Sequence, residues 1–494
     1  MPVDTITQLN KLFELQKKAF QLDPYPSVEV RIERIKRIPP MLKKYRSKIH
    51  AALDQDFGGH SDKASDLLEI IGLMDRAEFI AKNVKRWMKP KKKSGNLITL
   101  GNAKIYLKSH PKGTIGNMVS WNFPFEIALG PTIDALAAGN RVIIKPSDLG
   151  PACGAVLEEM INDTFDRDLV AVVNGDLELA KHFPTLPWDH LIYTGSGHVG
   201  KLVMAAASKN LVPVTLELGG KSPVIVHKDA VNNETIKSIA SIKSVKRGQM
   251  CVTGDYCLVH SSKINEFVEK ISAQFKNDFG ADNNGAAHTC GIISEKHLMR
   301  LHSLIEDAEN KGAKVINTGQ ENKENKRHMP FYVIVNPTRE MKVMQEEIFG
   351  PILPIISYDT TDEVIQFINE DDHPLGLYIY GNDKPFINKI CKNTQSGGVA
   401  INVIAIQAGV PSLPFGGIGA SGMGMHHGEE GFREFSNQRG YFHKRKGGVY
   451  NIVMSPYGEK TDKLINDVAY ASLGKQALFA LKTLPRNIAA LIGF

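Results

Sequence analysis

The stretch GTIGNMVSWNFPFEIALGPTIDALAAGNRVIIKPSD, residues 113–148, sets the architecture. Thr114–Ser120 is a short apolar run of strand character, Phe125–Ala138 reads as a helix, Gly139-Asn140 stops it, and Arg141–Lys145 is the next strand. The alternation continues outward. Leu169–Val173 and His190–Thr194 alternate with helices before Val212–Leu216. A second series begins near Pro223, with Pro223–His227, Tyr256–His260 and Leu375–Tyr380 separated by longer helices. Strand–helix–strand alternation implies parallel sheets covered on both faces, and two α/β domains are the economical account.

The flanks differ. The first hundred residues are helical in pattern, with Leu9, Leu12, Phe13 and Phe20 at helical spacing and Leu67, Leu68, Ile71 and Met74 repeating it. The basic run Lys89–Lys93 reads as a solvated linker. Leu97–Leu100 and Ala103–Leu107 flank Gly101-Asn102, a two-residue hairpin signal, because those residues tolerate the positive φ of the turn.

The chain has 494 residues, 42% hydrophobic and 23% charged, which excludes disordered and fibrous classes. Its net charge of +7 is too dilute at this length to argue for nucleic-acid binding. Cysteines at 153, 251, 257, 290 and 391 show neither paired spacing nor a zinc pattern, so a reducing, cytoplasmic setting and no metal are expected. No stretch reaches the roughly 18 uncharged apolar residues of a membrane span. The apolar segment Ala471–Phe494, interrupted by Lys475, Lys482, Pro485 and Arg486, reads as a surface or partner-docking helix.

Single residues carry little alone. Cys251 in Gly248-Gln249-Met250-Cys251 reads as a buried hydrophobe, Glu217 as a solvated strand end, and Asn122 as a turn residue before a proline. Gly195-Ser196-Gly197-His198-Val199-Gly200 matches GxGxxG, with Glu217 seventeen residues beyond, but it does not belong to the first strand–helix unit of its sheet.

Taken together, these stretches resemble the aldehyde dehydrogenase superfamily. Trp121–Pro124, Lys145–Asp148, Thr194–Ser196, Glu217–Lys221, Gly248–Cys251 and Glu347–Pro351 follow that family's motifs in order, over roughly residues 40 to 445. Leu413–Gly419 and the Gly428, Gly431-Phe432, Phe435-Ser436 pattern resemble its class-3 branch. Pro213–Leu216 and Pro374–Tyr378 resemble bacterial coniferyl aldehyde dehydrogenases.

The resemblance implies two Rossmann-like α/β domains, one cofactor-binding and one catalytic, plus a small β bridging element. It places the cofactor domain in 1–216, interrupted by a hairpin at about 95–110, and the catalytic domain in 217–410. Residues 411–455 return to the cofactor domain and bridge, and 456–494 form a tail of unassigned role. It implies that Cys251 attacks an aldehyde carbon. The side-chain amide of Asn122 and the Cys251 N–H hold the oxyanion, and Glu217 activates the water that hydrolyses the thioester. Lys145 is assigned to the adenosine ribose, Ser196 (with Gly195) to the pyrophosphate, Glu347 to the nicotinamide ribose, and Trp121 and Phe349 to the cofactor pocket. Asp148, where the family usually has Glu, favours NAD, with NADP possible. A homodimer is expected, bridged through the Gly101-Asn102 hairpin and residues 437–455. The alternatives are a semialdehyde-specific dehydrogenase and a non-catalytic binding or structural protein on the same fold.

Three departures stand out. Lys246-Arg247 replace the usual Asn-Ala, and either point outward from a helix end or lower the Cys251 pKa. Gly197 replaces a frequent Thr, allowing closer cofactor approach or loosening the turn. Ile401–Gln407 lacks the Asn-Asp and later His of relatives, which points to an apolar aldehyde.

Overall fold

The computed structural model describes residues 5–94, 103–280, 288–320, 325–444, 452 and 454–470. The Gly101-Asn102 hairpin and the segment Ala471–Phe494 lie outside them. The chain forms two compact units, one from the described residues of Met1–Val84 and Pro111–Phe435, the other from those of Lys85–His110 and Ser436–Phe494.

The first unit holds two sheets. In the six-stranded sheet the order is Gly422–Met423, Val214–Glu217, His190–Thr194, Thr114–Met118, Arg141–Lys145 and Val170–Val172, parallel except for the antiparallel edge Gly422–Met423. The chain runs outward from Thr114–Met118 to one side, then returns to that strand's other side with His190–Thr194. In open parallel sheets such a reversal opens a crevice at the carboxyl ends of the strands, where ligands bind. Trp121-Asn122 and Gly195-Ser196 are the two loops that leave this crevice.

The seven-stranded sheet runs Lys314–Asn317, Tyr332–Val335, Ile352–Tyr358, Tyr256–His260, Pro223–Val226, Gly376–Tyr380 and Gly398–Ile401. Only the Lys314–Asn317 pairing is antiparallel. Its core includes Val224, Val226, Cys257, Phe267, Phe275 and Tyr378 on one face, and Ile225, Leu258, Leu301 and Ile379 on the other. The second unit contains a three-stranded sheet of Lys91–Lys92, Ala103–Pro111 and Ser436–Lys444.

The helix Pro124–Ala138 is buried along nearly its whole circumference, as expected for a helix apolar all round. Its ends are completed by charge. Glu69 accepts from the Phe125 and Glu126 N–H groups at 3.1 Å each, while Arg31 donates to the Ala137 and Ala138 carbonyls at 3.1 and 2.7 Å. A carboxylate at the first turn and a guanidinium at the last both oppose the helix dipole favourably. Gly139, at φ +95°, ends the helix in the left-handed region.

One expected pattern fails. Leu67 and Ile71 are exposed, whereas Glu69 and Ile70 are buried. Residues Asp66–Ile71 form a π-helical turn, whose wider loop shifts the register and turns a carboxylate inward where α periodicity would turn leucine and isoleucine.

Candidate active site

Cys251 lies in the loop between the short helical turn Val245–Gly248 and the strand Tyr256–His260. Gly248 has φ +74°, and a Cβ there would sit 2.4 Å from the Gly350 carbonyl oxygen, so only glycine lets the loop pass. Gln249 then pins it. Its side-chain amide donates to the Lys246 and Gly291 carbonyls at 2.8 and 3.0 Å and accepts from the Ile293 N–H at 3.0 Å. The backbone carbonyl of Gln249 accepts from Asn122 Nδ2 at 3.3 Å, which holds the asparagine amide two residues from the thiol. Asn122 is buried, and its Oδ1 has no hydrogen-bond partner among the described residues.

Glu217 ends its strand facing the same cavity as Cys251. The cavity has a volume of about 360 Å³ and is mainly apolar; Phe123, Met250, Val252, Ile406 and Phe415 line it. Both carboxylate oxygens of Glu217 are buried and have no hydrogen-bond partner among the described residues. Burial pushes its pKa well above the ordinary value, the nearby Glu434 adds to the rise, and Arg76 opposes it.

The Cys251 thiol is pushed up by burial and by the fields of Glu347, Glu217 and Glu126. Lys246 and Arg247 do not counter this. Neither points outward: both are buried, at φ +46° and +51°. Lys246 pairs with the buried Glu69, and its ammonium sits 4.7 Å from the Phe57 ring centre and 4.5 Å from that of Phe123. Arg247 donates to the Cys290 and Met329 carbonyls and contacts His328 Nδ1. Both cations are committed elsewhere, so both expectations for the pair are corrected.

Lys145 and Ser196 lie at the carboxyl ends of strands of the six-stranded sheet. Lys145 ends the strand beside Thr114–Met118, with Nζ donating to the Pro146 carbonyl at 3.0 Å. Burial lowers its pKa, and Asp148 and Asp176 counter that. Asp148 is exposed. Ser196 caps the helix Gly197–Ser208 by accepting from the Val199 N–H, leaving its hydroxyl proton free to donate. At Gly195 a Cβ would lie 2.2 Å from the Tyr193 hydroxyl oxygen, so a larger residue would displace that ring. At Gly197 a Cβ would meet nothing within 4 Å, so the space there is open. Glu347 lies over Gly219, where a Cβ would come within 1.9 Å of its Oε2; burial raises its pKa to about 8. Trp121 and Phe349 meet edge to face at 5.3 Å.

Within Ile401–Gln407, Ala405 and Ile406 line the cavity. Gln407 turns away to donate to the Tyr378 hydroxyl at 3.3 Å. Sequence reasoning missed Glu69, Arg76 and the pair His426-His427, which lines the cavity beside Glu217. The available signals were an arginine on the buried stripe of Leu73, Ala77 and Ile80, and two adjacent histidines before Gly428.

A thiol and a carboxylate line one apolar cavity, and the Asn122 amide is tied to the Gln249 carbonyl two residues from that thiol. The family model "Aldehyde dehydrogenase family" matches residues 2–440, and the chain belongs to that family. It is an NAD(P)-dependent aldehyde dehydrogenase.

A probable coniferyl aldehyde dehydrogenase of Pseudomonas aeruginosa is 39% identical over 460 residues, 93% of this chain and 96% of that protein. A solved structure of Staphylococcus aureus AldH in a substrate-bound state superposes with a TM-score of 0.86 at 35% identity, covering 92% of this chain and 98% of that one. A Mycobacterium tuberculosis aldehyde dehydrogenase complexed with NAD+ matches at TM-score 0.80 and 27% identity, over 89% and 91% of the two chains. The crevice fits such a dinucleotide: it offers a capped helix N-terminus with open space at Gly197 and a carboxylate over Gly219.

Proposed function

We propose that this enzyme oxidises apolar or aromatic aldehydes to carboxylic acids, with Cys251 as nucleophile, Asn122 as oxyanion donor and Glu217 as general base. The observation that carries this reading is the shared cavity: Cys251 and Glu217 line it together, and the carboxylate has no hydrogen-bond partner among the described residues. A buried carboxylate left unpaired is costly, so such a group is retained for chemistry.

Cys251 Sγ gives its proton to the Glu217 carboxylate, which passes it to solvent, and bonds to the aldehyde carbon, and the carbonyl oxygen takes up the charge beside Asn122 Nδ2. NAD(P), when bound, accepts the hydride that leaves that carbon. The apolar wall excludes bulk water and selects apolar side chains. Glu217 takes a proton from the hydrolytic water, whose oxygen bonds to the acyl carbon as the C–S bond breaks. Burial raises the Glu217 pKa, which makes the ionised carboxylate a stronger base than an exposed one.

Lys145, Asp148, Ser196, Gly195, Trp121, Glu347 and Phe349 would hold the cofactor. Asp148 accepts from a ribose 2′-hydroxyl and repels a 2′-phosphate, which favours NAD. The six-stranded sheet is assigned to the cofactor domain and the seven-stranded sheet to the catalytic domain, and the exposed strand Ser436–Lys444 to a homodimer bridge. Five free cysteines support a reducing, cytoplasmic setting, and among the described residues no helix is long and apolar enough to cross a membrane.

An aldehyde panel read by NADH or NADPH absorbance tests this. Aromatic and longer aliphatic aldehydes give higher kcat/KM than hydrophilic semialdehydes, NAD exceeds NADP, and Cys251→Ala abolishes turnover. Turnover that survives Cys251→Ala overturns the reading.

A further inference from the structure

We propose that His426, oriented by Arg76, is a positioning residue that holds the hydrolytic water against Glu217. The inference rests on the catalytic reading above and assigns a specific partner to its second half-reaction.

The geometry is directional. Arg76 Nη2 lies 3.0 Å from His426 Nδ1, and a guanidinium can only donate, so Nδ1 is the acceptor. In the neutral ring the proton then resides on Nε2. That nitrogen lies 4.0 Å from Glu217 Oε1, too far for a direct hydrogen bond and suited to one bridging water. The water accepts from Nε2–H and donates to the carboxylate, which leaves a lone pair for the acyl carbon.

The ring cannot easily turn away. His426 exchanges both backbone hydrogen bonds with Phe415, at 2.8 and 2.7 Å, and its ring packs 5.2 Å from that of Phe415 and 4.6 Å from that of His427. Arg76 is itself held by the buried Asp134 and by Glu126 at 3.2 Å, and Asp134 also accepts from the His427 N–H at 3.0 Å. Burial and the adjacent Arg76 keep His426 neutral, as an Nε2–H donor must be here.

The step balances. Water oxygen bonds to the thioester carbon, Glu217 takes the proton, the C–S bond breaks, and the proton passes to the Cys251 sulfur, which gives the acid and the free thiol. His426 gains and loses no proton.

The test is rapid mixing of enzyme, NAD and the best aldehyde of the panel, with mass spectrometry of the quenched protein. His426→Phe keeps the ring volume but removes the donor. Its expected signature is an intact NADH burst of about one per subunit, a kcat lowered about 10- to 100-fold, and accumulated acyl-Cys251. His426→Gln, whose amide N–H reaches the same region, recovers part of the rate. Steady-state rates within twofold of wild type for His426→Phe overturn the assignment. A burst and kcat that fall together without acyl-enzyme overturn it too. Wild type that never acylates Cys251 overturns the catalytic reading itself, so the two failures are distinct.

Discussion

Two sets of buried polar groups meet the loop and helix start at residues 120–126, and they are completed in opposite ways. On one side, Glu69 satisfies two backbone N–H groups and the Lys246 ammonium, while Gln249 ties the cysteine loop to residues 291–293. On the other, both oxygens of Glu217 are buried and, among the described residues, unpartnered, while Asn122 Nδ2 gives one of its two hydrogens to the Gln249 carbonyl and keeps the other. The first set commits its groups to holding the Asn122 and Cys251 loops in register. The second keeps groups free, as the proposed chemistry requires. The difference separates scaffold from chemistry within one chain.

Breaking the completed side has the largest effect. Glu69→Ala strands the Lys246 ammonium in an apolar setting and strips the helix N-terminus, so unfolding free energy drops by about 3–5 kcal/mol in denaturant titration. The double substitution Glu69→Met with Lys246→Met removes both charges and restores much of that loss. If the single and double variants are equally destabilised, the pair is not the structural tie described.

Asn122→Ala attacks the open side. The fold is retained, and kcat/KM falls by an amount equivalent to about 3–4 kcal/mol of transition-state stabilisation. A near-normal kcat/KM would mean that the amide serves only its bond to the Gln249 carbonyl.

Glu217→Gln gives the smallest stability change and the opposite sign. Burial holds the Glu217 carboxyl well above its usual value, so the folded state keeps a proton that the unfolded chain has released. Wild-type stability therefore falls as pH rises from the ordinary carboxyl range through the raised value. Glutamine cannot ionise. The variant melts at a higher temperature than wild type at about pH 8, and the gap closes toward about pH 5, as thermal melts across that range would show.

Much of this frame was legible beforehand. His190–Thr194, Tyr256–His260 and Arg141–Lys145 form as expected, because short apolar runs bounded by loop residues admit one reading. Cys251, Glu217 and Asn122 read as structural one by one, and only the family's motifs, taken in order, make them candidates. What stayed hidden depends on distance or on register. Arg76 meets a histidine 350 positions away, which no local pattern encodes. Ile352–Tyr358 carries Pro354 inside a strand, and Gly398–Ile401 shows no run long enough to declare itself. Lys246 and Arg247 looked solvated by composition, yet positive φ angles turn both inward.

The π turn at Asp66–Ile71 has a consequence for chain length. A π turn carries about one residue more than an α turn, so deletion of one residue there converts it to α-helix while the flanking segments keep their relative rotation. What changes is the turn itself: Glu69 loses the inward placement from which it meets the start of the Pro124 helix. The extra residue of that turn is therefore committed to one carboxylate, although the exposure of Leu67 and Ile71 gives it the look of ordinary surface.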